Sequence, residues 1–201
     1  TSESVKIFDS FSGDWLETGG TIGSPRDIVR RNSGFWVVSA SAGNPIVQRI
    51  YSHSANPWTS FPLGGIGELP STPDELALAV RSDKPEMYVP WIQDDGGSTG
   101  WTGGVEYFEM NGTHLGTWIS TGDSSLTAPL DLDFDPFGNA YIVDLASDGT
   151  TYEVRKFDNG GTFDSVLVAS RPIDYVAGGP RPRVEFGSDG LLYLLDPGTR
   201  T

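Results

Sequence analysis

Apolar and polar residues alternate along most of the chain in short segments separated by tight turns. The alternation is clearest in residues 129–135 and 182–186, where a period of two residues predicts β-strands. Gly, Asn, Asp and Pro cluster after these segments, and they supply the positive or preset φ angles that tight hairpins need. The pattern therefore predicts an all-β chain of short antiparallel strands.

One short motif occurs four times: a turn, then an aromatic residue, then two mostly apolar residues. The aromatic residues are Trp36, Tyr88, Tyr141 and Tyr193, at spacings of 52, 53 and 52 residues. An alternating strand precedes each motif and, in the complete units, two further strands follow it, so a unit is a four-stranded antiparallel meander. Such a sheet buries both faces only when neighbours stack on it. We therefore predict a β-propeller with one blade per roughly 52-residue repeat, rather than a Greek-key sandwich or barrel.

The two ends of the chain are complementary halves of one unit. Residues 1–23 match the third and fourth strands of the other units, whereas residues 173–201 supply only a first and a second strand. Whole blades are predicted at residues 24–68, 69–125 and 126–172. We expect the halves to join as a split blade, which would close a four-bladed ring. Alternatively, this chain is part of a larger propeller of about six blades. In that case its open blade edges would allow self-association.

Four segments resemble the NHL-type (YVTN-like) propeller repeat of secreted bacterial proteins, namely residues 129–144, 154–161, 180–196 and 5–13. In that family the strand-end Asp, here Asp144 and Asp196, commonly braces the loop backbone. Two other units depart from the pattern, with Ser39 and Trp91 at this position. The resemblance implies a propeller fold and an extracellular, periplasmic or cell-surface location. Because family members include binding scaffolds, lactonases and lyases, it does not identify an activity.

The charge balance narrows the range of partners. The chain has 27 acidic and 13 basic residues, a formal net charge of −14, and no cysteine. An acidic surface repels phosphate backbones and anionic lipids, so we expect no nucleic-acid partner. The longest apolar run, residues 191–195, is far shorter than the ~18 residues of a membrane span, so we expect no membrane insertion. Disulfides, thiolate metal sites and a cysteine nucleophile are excluded.

Long loops on one face of the predicted propeller carry the candidate ligand-binding residues. In a four-stranded blade, the loops that join strands two and three, and one blade to the next, open on the same face. Aromatic rings there can serve as stacking platforms for an uncharged or cationic glycan or peptide. The alternative is that the aromatic rings pack between blades or hold the loops in place. The candidate residues are Trp58, Trp91, Asp94, Asp95, Trp101 and Tyr175.

Asp131, Asp133 and Asp135 form a DxDxD pattern like the start of an EF-hand loop. Pro136 then occupies the position where that loop needs Gly, and no bidentate Glu follows at the right spacing. On a strand, the three carboxylates would share one face. If that face points toward the channel, a hard cation such as calcium could neutralise the carboxylates, so Asp131 and Asp133 are candidate calcium ligands. The alternative is that these residues are structural or solvent-exposed.

The chain contains no GxSxG, HExxH, Walker or GxGxxG motif, which weakens the serine hydrolase, zincin, NTPase and dinucleotide-binding interpretations. We therefore expect a non-catalytic binding or scaffold module with a protein or glycan partner and no required cofactor. The alternative is a metal-dependent lactonase or polysaccharide lyase that acts at the channel mouth, since a metal held by scattered carboxylates leaves no contiguous motif.

Overall fold

The structure of the protein, a computed structural model, describes residues 3–8, 15–22, 24–31, 34–41, 44–51, 59–63, 65–96, 100–120, 122–123, 125–173, 175–177 and 179–198. Within these residues the structure contains β-strands and no helix, which confirms the predicted all-β class. Within the same residues, no helix is long and apolar enough to cross a membrane.

Three antiparallel blades follow one another along the chain, and in the first and third the strands pair in chain order, whereas in the second the first two strands, both short, pair with the third. The first blade consists of β3 (Pro25–Arg31), β4 (Gly34–Ser41), β5 (Asn44–Tyr51) and β6 (Thr59–Pro62). In the second blade the inner strand is interrupted, and the strands are β7 (Glu75–Leu76), β8 (Ala79–Val80), β9 (Glu86–Asp94), β10 (Trp101–Glu109) and β11 (His114–Ile119). The third blade consists of β12 (Ala128–Phe134), β13 (Ala140–Leu145), β14 (Thr151–Phe157) and β15 (Phe163–Pro172).

Two further hairpins form the half-blades at the ends of the chain. The N-terminal half-blade pairs β1 (Glu3–Phe8) with β2 (Trp15–Ile22), and the C-terminal half-blade pairs β16 (Arg183–Phe186) with β17 (Leu192–Leu195). Among the described residues no ladder joins β1 to β17. The sheets are of the predicted propeller type, but in the described part of the chain no strand pairing closes the split blade, so the four-bladed count stays a prediction.

The turn between the first and second strands is built by a carboxylate and a glycine. In the third blade, Asp135 accepts hydrogen bonds from the amides of Phe137 and Asn139, both at 2.9 Å. Gly138 has a φ of 83°, a left-handed conformation that favours glycine, and Gly190 has a φ of 81° at the matching position of the C-terminal half-blade. Local residue chemistry therefore sets these hairpins.

The second-strand aromatics of the repeat join one blade to the next. Tyr88 of the second blade lies edge-on to Phe134 of β12, with ring centroids 4.7 Å apart, and Tyr141 lies 5.5 Å from Phe186 of β16. Tyr88 is 2% exposed and belongs to one of the apolar clusters between blades. The core therefore lies between stacked sheets, as a propeller requires.

Candidate binding channel

The inner strands of the three blades and of the C-terminal half-blade surround a cavity of about 570 Å³, which we call the channel. Part of its wall is apolar, formed by side chains that include Ile28, Val80, Leu132 and Val184. Charged side chains also line it, namely Asp27, Arg30, Asp131, Asp133, Arg183 and Glu185. The channel therefore combines apolar surface with a few charged groups, as ligand sites commonly do.

Aspartates on the inner strands bind the backbone of the following unit. The Asp27 carboxylate accepts a hydrogen bond from the amide of Leu78 at 3.0 Å, 51 residues further on. The Asp131 carboxylate accepts one from Val184 at 2.8 Å, 53 residues further on. In both cases a side chain of one inner strand satisfies an amide of the next, so these carboxylates hold neighbouring units together.

Burial changes the acidity of the two predicted calcium ligands. Burial, together with the negative charge of Asp27, raises the pKa of Asp131 to about 7, although the hydrogen bond from Val184 acts in the opposite direction. Burial also raises the pKa of Asp133 to about 6, against the hydrogen bond from the Phe186 amide at 2.6 Å. Both carboxyl groups are therefore easier to protonate than an exposed aspartate.

Both predicted calcium ligands line the channel, but each already accepts a backbone amide. In the part of the chain that the structure describes, no group of three or more His, Cys, Asp or Glu side chains is arranged to hold a metal ion. Asp135, the third member of the pattern, opens the β12–β13 hairpin instead. The calcium hypothesis rests on Asp131 and Asp133 alone and stays a prediction.

Three arginines converge where the inner strands begin, on the long-loop side of the channel. Arg26 and Arg181 share the carboxylate of Glu75, with N–O distances of 3.5 and 3.3 Å. Arg183 forms an ion pair with Asp27 at 2.9 Å, and its guanidinium also donates to the carbonyl oxygen of Arg26 at 3.2 Å. These contacts join the C-terminal half-blade to the first and second blades.

Two cavities open among these arginines, and together we call them the mouth of the channel. One has a volume of about 380 Å³ and is lined by Arg26, Glu75, Arg181 and Arg183, among others. The other, of about 330 Å³, is lined by Pro25, Arg26, Asp27, Ile28, Val37 and Arg183. Arg26 and Arg183 therefore face both cavities.

Two of the predicted aromatic platforms lie in the core. Trp91 is 4% exposed and packs in the apolar cluster between the first and second blades, while Tyr175 is 8% exposed and packs in the cluster beside the third blade. Among the described residues, neither the Trp91 indole N–H nor the Tyr175 hydroxyl has a hydrogen-bond partner. In this conformation, packing between blades accounts for both rings.

Trp101 is half-buried at a point where three long loops meet. Its ring lies edge-on to Tyr175, with centroids 5.0 Å apart, and its backbone amide donates to the carbonyl of Ser147 at 2.8 Å. Asp94 and Asp95 are exposed beside it. The structure thus brings Trp101, Asp94 and Asp95 together on one face. Trp101 packs among the loops there and is not a fully exposed stacking platform. Trp58 lies outside the described residues.

Sequence reasoning did not identify Arg26, Glu75, Arg181 and Arg183 as site residues. Arg26 and Arg181 are 155 positions apart, and no motif connects them. One local signal existed, because Arg26, Arg181 and Arg183 all adjoin a proline at the start of an inner strand in a chain with few basic residues.

No protein-family model matches the sequence, and no curated protein matches it. Similar folds are found among solved structures. Hydrazine synthase of Kuenenia stuttgartiensis has a TM-score of 0.61 and 12% identity, over 93% of this chain and 47% of that one. The exo-β-1,3-galactanase of Phanerochaete chrysosporium, solved with β-1,3-galactotriose, has a TM-score of 0.52 and 10% identity, over 85% of this chain and 43% of that one.

Both similar structures are β-propeller proteins, so they support the propeller fold of this chain. At such low identity, a structural likeness shows the fold alone. The chain spans about half the length of either structure.

Proposed function

We propose that this protein is a non-catalytic binding or scaffold module that works outside the cytoplasm and takes a glycan or peptide ligand at the mouth of its channel. The observation that supports this is the channel itself, a cavity of about 570 Å³ with apolar and charged walls. Ligand sites are commonly concave, mostly apolar and equipped with a few polar groups that orient the ligand. The NHL-type resemblance agrees, since such propellers include binding scaffolds. We propose membership of that family on the strength of residues 129–144.

A matched pair of variants tests the site. Ile28 lines the channel and is 47% exposed, whereas Leu167 lies on the outer strand β15 and is 48% exposed. Ligands are first selected on a glycan array and a peptide library with the intact chain. We expect Ile28→Asp to weaken binding of a selected ligand at least about tenfold, because it places a charge on an apolar wall. Leu167→Asp should leave the affinity unchanged.

Two outcomes would contradict the proposal. One is the absence of any ligand in either library. The other is an equal loss of affinity in both variants, because a charge far from the channel should not disturb a ligand bound inside it.

The lactonase or lyase alternative requires a metal near Asp131 and Asp133, and calcium titration separates it from the binding proposal. A metal that binds the folded state and not the unfolded chain raises the melting temperature increasingly as its concentration exceeds the dissociation constant. On the binding proposal, the melting temperature is the same in excess calcium and in chelator. A calcium-dependent rise that disappears in Asp133→Asn would favour the alternative.

A further inference from the structure

The charge at the mouth of the channel is opposite to that of the whole chain. Of the charged side chains that line its two cavities, three are arginines and two are carboxylates. In the complete sequence, acidic residues outnumber basic ones 27 to 13. The mouth is thus a small positive site on a strongly negative protein, and such a site attracts a local negative charge while the rest of the surface repels polyanions.

The arginines at the mouth retain donors for a ligand. One carboxylate, Glu75, faces two guanidinium groups, and its contact with Arg26 is long at 3.5 Å. The Nε of Arg26 is buried, so the donors that a ligand can reach are those on the exposed part of the guanidinium group. The Arg26 and Arg183 side chains are 29% and 40% exposed, whereas that of Arg181 is 6% exposed. Arg26 and Arg183 are therefore the groups that a ligand can reach.

Apolar surface lies directly beside these two arginines. Pro25, Ile28 and Val37 line the same 330 Å³ cavity as Arg26 and Arg183. A carboxylate is a good bidentate partner for a guanidinium group, and the neighbouring wall would bury an apolar group attached to it. Sugars offer little apolar surface, so a carboxylate next to an aliphatic side chain fits this cavity better than an acidic sugar does.

We infer that the mouth of the channel binds the C-terminal carboxylate of a peptide whose last side chain is apolar. Arg26 and Arg183 hold the carboxylate, and the last side chain packs on Pro25 and Ile28. This inference rests on the proposed binding function and selects the peptide over the glycan. The acidic side chains deeper in the channel, Asp131 and Asp133, disfavour a second anionic group on the ligand.

The test uses the intact chain and two hexapeptide libraries. Both are N-acetylated and end in Leu, Ile, Val or Phe, one with a free C-terminal carboxylate and one with a C-terminal amide. We expect the free carboxylate to bind at least about tenfold more tightly, because charge-assisted bonds to two arginines are lost in the amide. The advantage should shrink as salt rises, because screening weakens exposed charge pairs.

Variants assign the effect to the mouth. In Arg26→Gln and Arg183→Gln, the preference for the carboxylate over the amide should fall to about twofold or less. Arg26→Lys should retain part of it, since the charge remains but the planar fork is lost. The control variant is Arg171→Gln. Arg171 is exposed on β15, so this variant removes the same charge away from the mouth and should keep the full preference for the carboxylate peptide. Melting temperatures show whether Arg183→Gln, which also loses the Asp27 ion pair, is still folded.

The outcomes separate this inference from the proposed function. Equal binding of carboxylate and amide peptides, with Ile28→Asp still weakening both, overturns the inference and leaves the binding function standing. Arginine-dependent binding of acidic sugars without binding of peptides also overturns it. If neither peptides nor glycans bind at all, both proposals fail.

Discussion

Asp131 shows how one side chain can hold the fold together and also destabilise it. Its carboxylate satisfies the buried amide of Val184 in the next unit. The same burial, with Asp27 nearby, raises its pKa to about 7. An ionised carboxylate is costly in such surroundings, whereas a neutral acceptor would make the same hydrogen bond without that cost.

The sign of the resulting pH dependence follows from the direction of the shift. An unfolded aspartate titrates near pH 4, so the folded state holds this proton more tightly than the unfolded chain does. The stability that Asp131 contributes is therefore fully present below about pH 4 and is lost as the pH rises through about 7. Asp133 acts in the same direction, with a pKa of about 6.

Asp131→Asn should therefore stabilise the protein at pH 8. The amide keeps an acceptor for Val184 and removes the buried charge. We expect a gain of about 1–3 kcal/mol in the free energy of unfolding at pH 8 and none at pH 4, measured by urea denaturation. Asp148→Asn makes the same charge change at an exposed site. There, hydrogen bonds from Thr150 lower the pKa, so this variant should show no such gain. Equal gains in both variants would point to net charge rather than burial.

At the scale of the element, the same position of the repeat has different surroundings in different units. Tyr88 in β9 is 2% exposed and packs on Phe134 of the next blade. Tyr193 occupies the equivalent position in β17 and is 51% exposed, with its hydroxyl donating to Asp189 at 2.5 Å. The repeat supplies the same aromatic residue in both strands, but stacking on a following blade buries Tyr88 and leaves Tyr193 exposed.

Tyr88→Ala should cost about 3–5 kcal/mol of unfolding free energy, the range for deleting a large buried aromatic side chain. Tyr193→Ala should cost less than about 1 kcal/mol, because an exposed side chain loses little burial. Urea denaturation of the two variants measures the difference. A large loss in Tyr193→Ala would show that another sheet covers this face in solution.

The strands could be predicted from sequence because their signals are local. Alternation, turn chemistry and the 52-residue period all act within one unit, and they give the hairpins and their order. The interruption of the inner strand between β7 and β8 could not be predicted from the sequence, because residues 76–80 are all apolar and show no break in the pattern. The pairing of Arg181 with Glu75 could not be predicted, because it depends on which side chains of distant units meet at the mouth of the channel.

The candidate aromatic residues illustrate the same limit. The sequence pattern around a tryptophan is the same whether its ring faces a ligand or the next blade. Only the stacked sheets show that Trp91 is enclosed while Trp101 lies at the junction of loops.

At the scale of the whole molecule, the protection of backbone amides from hydrogen exchange should fall from the interior towards the C-terminal half-blade. The strand β13 has ladders with β12 and β14, and Ile142 and Val143 within it are completely buried. Among the described residues, β17 has a ladder with β16 alone, and Leu195 is 63% exposed. Blades in a stacked array gain stability from their neighbours, so an uncovered end is the least stable part.

Native-state hydrogen exchange tests this gradient. We expect the β13 amides to exchange only through global unfolding, and the β17 amides that point away from β16 to exchange many orders of magnitude faster. If those β17 amides are instead protected, another strand pairs with them, and dilution identifies its source. Protection that is independent of concentration means that β1 of the same chain closes the four-bladed ring. Protection that disappears on dilution means that a second copy adds its edge, because only an intermolecular ladder obeys mass action.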